Sequence, residues 1–301
     1  MEQMDIKNRW GKWAGSLAVM AVLLLVVLPT KAQKSSLLWK IENPETQATS
    51  YIFGTYHLIG SAYLDENAPV KKAYEESETV VIETELDSSA MMMVAMKAMM
   101  LDNSLKSLVD SADYVLLKQE IEPIIGMPIS QFDNVKPIML STMYSVAKAQ
   151  EVTPKDFTFD GTPIDLFFAE DGKEKGKKVV PLETAMEQAE ILFDSQTVEE
   201  QAAALVENVK AELEDDLSAE ILDAYQKQDL DKLWELSQDW DESMGEMTLL
   251  LDDRNKKWIP KLKPLLDEGK AFIAVGALHL PGEMGVLELL KAEGYVVSSR
   301  E

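Results

Sequence analysis

The sequence predicts an α/β fold of the α+β kind, with a central mixed sheet formed by N- and C-terminal strand segments and a large helical middle region. Three observations predict it. Short β-branched and aromatic runs bounded by glycine, proline and asparagine cluster near the two ends of the chain. From about residue 88 to 268, apolar residues recur mainly at helical spacing. Strand-like and helix-like segments alternate on either side of that region, the order expected of an α/β core.

The first 32 residues differ in composition from the rest. A polar stretch with Lys7, Arg9 and Lys12 precedes the apolar run from Ala14 to Leu28, which suits the core of an export signal and is short for a membrane span of about 20 residues. Thr30 and Ala32 supply small residues for a cut before Gln33. Residues 1–32 are therefore expected to be a signal peptide, with an uncleaved N-terminal anchor as the alternative, and residues 33–301 a single domain. The protein is expected to be exported, to the periplasm or outside the cell, or else anchored in the inner membrane. Without cysteine it has no disulfide, thiolate metal site or lipid-modified cysteine.

After the signal, "LLWKIENPETQATSYIFGTYH" reads as two strands joined by a turn at Asn43, Pro44 and Thr46. "APVKKAYEESE" has helical spacing, and "TVVIETEL" reads as a buried strand. "SSAMMMVAMKAMM" is crowded with methionine; it reads first as core or pocket filler and second as an adaptable binding face. Prolines break the helices at "EPIIGMPIS" and "VTPKDFTFDGTP", and one further strand, "KKVVPLE", is embedded among them. The acidic stretch from Val198 to Ser237 is rich in helix formers. The C-terminal segment from Lys270 reads strand, turn, helix, glycine stop, strand. The two ends are expected to share one sheet and to bring "FGTYH" and "VGALH" to neighbouring strand ends.

Composition narrows the function. A hydrophobic fraction of 46% is ample for a core, and a formal charge of −24 argues against a nucleic-acid partner, which would demand basic clusters. The chain has 2 histidines, and each follows a glycine by three positions: Gly54 with His57, and Gly276 with His279. With 14 glycines in 301 residues, random placement would do this with a chance of about 0.002. Singly, each histidine reads as an ordinary hydrogen-bonded residue. Together, at strand ends where glycine allows a sharp turn or close approach, they suit a divalent ion completed by a carboxylate.

Glu83 is the first candidate for that carboxylate, because a charge in a buried strand is costly without a partner. Glu85 is its alternative, on the same strand face by the two-residue period, and could instead be a general base. Arg254 or Asn255 could steady a developing oxyanion, although a plain salt bridge is the ordinary role of Arg254. Glu183 and Asp165 are weaker candidates, a strand-end glutamate and a helix-start aspartate. Serine-nucleophile, dinucleotide and phosphate-loop motifs are not found in the sequence.

"FGTYHLIG", "VVIETEL", "GTPIDLFFAEDGKEKGKKVVPLETAMEQ", "LLDDRNKKWIPKL" and "VGALHLPGEMGVLELLKAEGYVV" together resemble the TraB/GumN family, whose animal relatives include the Tiki membrane-tethered metalloproteases. The resemblance spans nearly all of the chain after the signal. It implies a divalent-metal-dependent hydrolase, in the Tiki case one that trims a peptide; with the export signal, the expectation is a cell-envelope enzyme, a peptidase using manganese, cobalt or zinc on a peptide or small envelope substrate. His57, His279, Gly54, Gly276, Glu83, Arg254 and Asn255 match its motif positions. A non-catalytic protein that sequesters a peptide signal and a metal-independent ester hydrolase are the rival expectations.

Overall fold

The computed structural model describes residues 35–85, 88–152, 161–214, 217–238 and 248–300. The expected export signal lies outside the described residues, as do Leu86 and most of the "VTPKDFTFDGTP" break. Along the chain come β1 (Leu38–Glu42), β2 (Thr49–Thr55), α1 (Tyr63–Glu66), α2 (Ala68–Glu75), β3 (Thr79–Thr84), α3 (Ser88–Lys97), α4 (Leu105–Leu108), α5 (Ser111–Ile125) and α6 (Pro137–Val152). They are followed by α7 (Ile164–Glu174), β4 (Lys178–Glu183), α8 (Ala185–Asp194), α9 (Val198–Glu214), α10 (Leu217–Gln226), α11 (Leu230–Gln238), α12 (Asp253–Glu268), β5 (Ala271–Gly276), α13 (Val286–Ala292) and β6 (Val296–Arg300).

Local chemistry sets these boundaries. In the β1–β2 turn, Asn43 Oδ1 accepts the backbone N–H of Glu45 and of Thr46, which closes the hairpin. Asp110 caps α5 by accepting from the N–H groups of Ala112 and Asp113, and Gly126 ends it in the left-handed region at φ 70°. Thr184 and Glu187 form a reciprocal capping box at the start of α8, directly after the last residue of β4.

The six strands form one mixed sheet in the order β4-β3-β5-β2-β1-β6. Strands β4, β3, β5 and β2 run parallel, while β1 is antiparallel to both β2 and β6. The two chain ends thus share one sheet, as the sequence predicts. The C-terminal strands are not neighbours of one another, however: β5 is central and β6 lies beyond β1. Tyr74 of α2 and Phe168 of α7 pack with Phe53 and Phe272 of the sheet, ring centroids 4.9 to 6.4 Å apart. Each such ring, fully buried, contributes about 2–3 kcal/mol.

The helical middle divides its packing. α7 and α12 join the core of the sheet through Phe168, Trp258, Leu262 and Leu266. Parts of α4, α5, α6 and α9 build a separate helical core around Leu117, Tyr144 and Leu205. The methionine run is mostly not core filler: Met100 is buried, but α3 packs on α8 through Val94, with Ala98 just past its end, and Met91, Met92, Met93, Met96 and Met99 are exposed. Among the described residues, no helix is long and apolar enough to cross a membrane.

Candidate functional site

Parallel strands share one C-terminal edge, where open α/β sheets place their chemistry. β2 and β5 are adjacent and parallel, with Gly54 beside Val275 and Thr55 beside Gly276, so the two Gly-x-x-His turns leave the sheet side by side. Each glycine makes room for a neighbour. A Cβ on Gly54 would lie 2.9 Å from Ala277 Cα, inside the second turn. A Cβ on Gly276 would lie 3.2 Å from Glu83 Oε1, which accepts the Gly276 N–H at 2.7 Å. Tyr225 adds a brace by donating to the Gly54 carbonyl at 2.8 Å.

Buried His279 stacks on Trp258, with ring centroids 4.4 Å apart. Its tautomer follows from its partners. Asn255 Nδ2 donates to the carbonyls of His279 and Met284, so Asn255 Oδ1, 2.7 Å from His279 Nδ1, accepts a proton from that nitrogen. Nε2 therefore carries the lone pair, and it accepts from Arg254 Nη1 at 3.0 Å. Burial drives the imidazole pKa down to about 3, against the raising effect of Glu83 and with help from Arg254 and His57, so the ring is neutral.

Arg254 spends all its donors on protein acceptors. Nε reaches Glu183 at 3.1 Å, Nη1 reaches the Leu250 carbonyl and His279, and Nη2 reaches Glu83 and Glu183 at 2.5 Å each. The guanidinium rests over Trp258 at 4.9 Å. Glu83 also accepts from Gln188 Nε2 at 3.1 Å. Burial would raise its pKa, but His279, Arg254, His57 and the Gly276 N–H together outweigh that and hold it at about 2. Arg254 and Asn255, expected to face an oxyanion, instead give their donors to the protein and position other groups.

His57 differs from His279. Its side chain is 74% exposed, and Nδ1 lies 2.8 Å from Oδ2 of Asp165 in the first turn of α7. Nε2 has no hydrogen-bond partner among the described residues. Although the side chain is open to solvent, the bond to Asp165 and the charges of Asp165 and Glu83 outweigh desolvation by the nearby protein and the charge of Arg254, and raise the imidazole pKa to about 9, so the ring is protonated at neutral pH. Asp165 and Glu183, the weaker candidates, thus hold His57 and Arg254 respectively. Glu85 is not brought in: β3 ends at Thr84, the two-residue period ends with it, and Glu85 pairs with Lys173 at the surface.

The donors suit a divalent ion in kind. His279 Nε2 and Glu83 Oε1 are 3.8 Å apart, near the roughly 3.4 Å that two donors about 2.1 Å from one tetrahedral ion would show. His57 has a carboxylate behind Nδ1, the support typical of a metal-bound imidazole. In this arrangement the Nε2 lone pair of His279 goes to Arg254, and no group of three histidine or carboxylate side chains among the described residues is gathered around one point.

Two contributors belong to the motifs that carry the family resemblance but are not among the expected site residues. Gln188 follows Glu183 by five positions, and Trp258 follows the Arg254–Asn255 pair; both are in the quoted motifs. Tyr225 belongs to none, lying in an acidic helix with no motif around it. The family model described as TraB/PrgY/gumN family matches residues 37–299. No curated protein matches the chain.

Proposed function

The chain belongs to the TraB/PrgY/gumN family, and on that premise we propose that it is a hydrolase of the cell envelope that activates water for attack on a peptide bond, using His57, Glu83 and His279. One observation carries this reading. His57 is held at Nδ1 by Asp165 and, exposed to solvent, has no partner on Nε2 among the described residues, within the field of an ionised Glu83.

In this reading the attacking water meets His57 Nε2. Asp165 keeps the ring from rotating and holds it protonated at neutral pH, so the fraction of His57 able to take the water's proton grows as pH rises toward about 9. Glu83 is fixed by Gly276 and Arg254, so it presents a set negative potential to the water and the substrate. His57 and Glu83 would hold a divalent ion such as manganese, cobalt or zinc, joined by His279 only if its Nε2 were released from Arg254, and the ion would supply a lowered water pKa and a polarised carbonyl. Asn255 and Trp258 keep His279 neutral and oriented, and Arg254 balances the buried carboxylates.

A second reading, hydrolysis of an ester with His57 as a metal-independent base, is favoured by the bond that commits His279 Nε2 to Arg254. The test is exposure of the purified protein to peptide and ester libraries, with manganese or with chelator, followed by mass spectrometry. New peptide termini that require manganese and disappear in His57→Ala support the first reading. Ester cleavage that survives chelation supports the second. Peptide binding without any cleavage would overturn both in favour of a sequestering protein.

A further inference from the structure

Helix α3 carries an apolar surface that the packing of the described residues does not use. Met91, Met92, Met93 and Met96, with Met99 and Leu101 just beyond the helix, are all exposed. Met92 and Met96, one helical turn apart, are 68% and 71% exposed, and Leu101 is 94% exposed. Scattered exposed apolar residues need no explanation, but six within eleven positions form a strip of the kind that marks interaction sites. Methionine suits such a strip, because its unbranched, polarizable thioether adapts to varied apolar ligands.

The strip stands beside the candidate site. α3 begins four residues after β3 ends, and β3 carries Glu83 in its last turn of chain. Its packed face lies on Ala189, Leu192 and Phe193 of α8, and α8 is the helix whose Gln188 donates to Glu83.

Charge selects the occupant. Two lysines beside the strip, Lys97 of α3 and Lys136, whose N–H donates to the Ala98 carbonyl, are both bonded to Asp194. Glu190 adds a negative charge near Lys97, and the chain as a whole carries −24. These two lysines and two carboxylates cancel, so the strip has no positive patch of its own to offset the field of a chain at −24, which repels anionic lipid and polyanions and draws cationic groups. We infer that the exposed methionine strip of α3 is a docking surface for an apolar, basic segment of the peptide on which the neighbouring site acts. The word substrate here rests on the hydrolase reading; the docking does not.

The full chain is tested with a fluorescein-labelled peptide of alternating leucine and lysine, a leucine–glutamate counterpart, and vesicles of phosphatidylcholine with phosphatidylglycerol. The leucine–lysine peptide is expected to bind, to slow peroxide oxidation of Met92 and Met96, and to bind about tenfold more weakly to Met92→Ser/Met96→Ser, whose melting curve stays unchanged. Equal binding of the leucine–glutamate peptide, unchanged affinity in the methionine variant, or binding to vesicles without binding to peptide would overturn the inference. The two readings fail separately. Docking that persists in His57→Ala while no peptide is ever cleaved removes the hydrolase and leaves the surface; cleavage with an unchanged KM in the methionine variant does the reverse.

Discussion

Arg254 donates from Nη1 to Nε2 of His279 at 3.0 Å, so a permanent cation occupies the lone pair that a metal would need. The same guanidinium is the counter-charge for Glu83 and Glu183, both largely buried. Replacing it leaves two carboxylates facing each other in a dry site. Arg254→Met should lose about 3–5 kcal/mol of stability in chelator. Manganese should return part of that loss, because a divalent ion can supply the missing positive charge and meets a free His279. Thermal melting of the variant with and without manganese checks this; no recovery would mean that the ion does not enter there.

Among the described residues, the side-chain bond of Asp165 goes to His57. Asp165→Asn keeps the shape and removes the charge that fixes the tautomer of His57, so kcat for peptide cleavage should fall about a hundredfold or more with KM little changed. Asp165→Glu should recover some of the rate. A fall in KM and kcat together, with no rescue by glutamate, would make Asp165 an ordinary structural residue of α7.

The two glycines should not be equivalent. Gly54→Ala drives a Cβ against the backbone of Ala277 at 2.9 Å, and backbone cannot rotate away, so a cost of about 1–3 kcal/mol is expected. Gly276→Ala meets a carboxylate oxygen at 3.2 Å, which can shift slightly, and about 1 kcal/mol or less is expected. Urea denaturation of the two variants ranks them, and the reverse order would contradict this account of the turns.

Asp194 ties α3 to the rest of the helical region through Lys97 and Lys136. Burial would raise its pKa, yet its bonds to Lys136 and Lys97 bring it below the ordinary 3.8. A depressed folded-state value gives stability that is present above the unfolded value and lost as pH falls through the folded one. Asp194→Asn should therefore lower the urea midpoint above pH about 4, and the gap to the unaltered protein should close in stronger acid. A gap that stays constant with pH would show that Asp194 is not an ionised partner.

Much of this was legible in the sequence. The hairpin announced itself through Asn43 and Pro44, and the paired Gly-x-x-His motifs foretold two turns side by side on one sheet edge. Glu83 stood out because a buried strand rarely carries an unpaired charge. Other features were hidden, because they depend on contacts distant in the chain. Asp165 and His57 are 108 positions apart, and nothing local says that the start of α7 reaches β2. Glu85 was misjudged since strand alternation holds only while the strand lasts, and β3 stops one residue short. The methionines of α3 were read inward, because composition gives apolarity and not the side of the helix that finds a partner.

The central claim is that His57 and His279, whose turns leave the sheet on adjacent strands, serve one water-activating site. The most direct measurement is the rate of peptide hydrolysis by His57→Ala, His279→Ala and the double variant. Groups that act as a unit give losses that do not multiply, so the double variant should be no slower than the worse single variant, by a margin of about threefold. Losses that multiply in the double variant, or a His57→Ala protein as active as the original, would contradict the account.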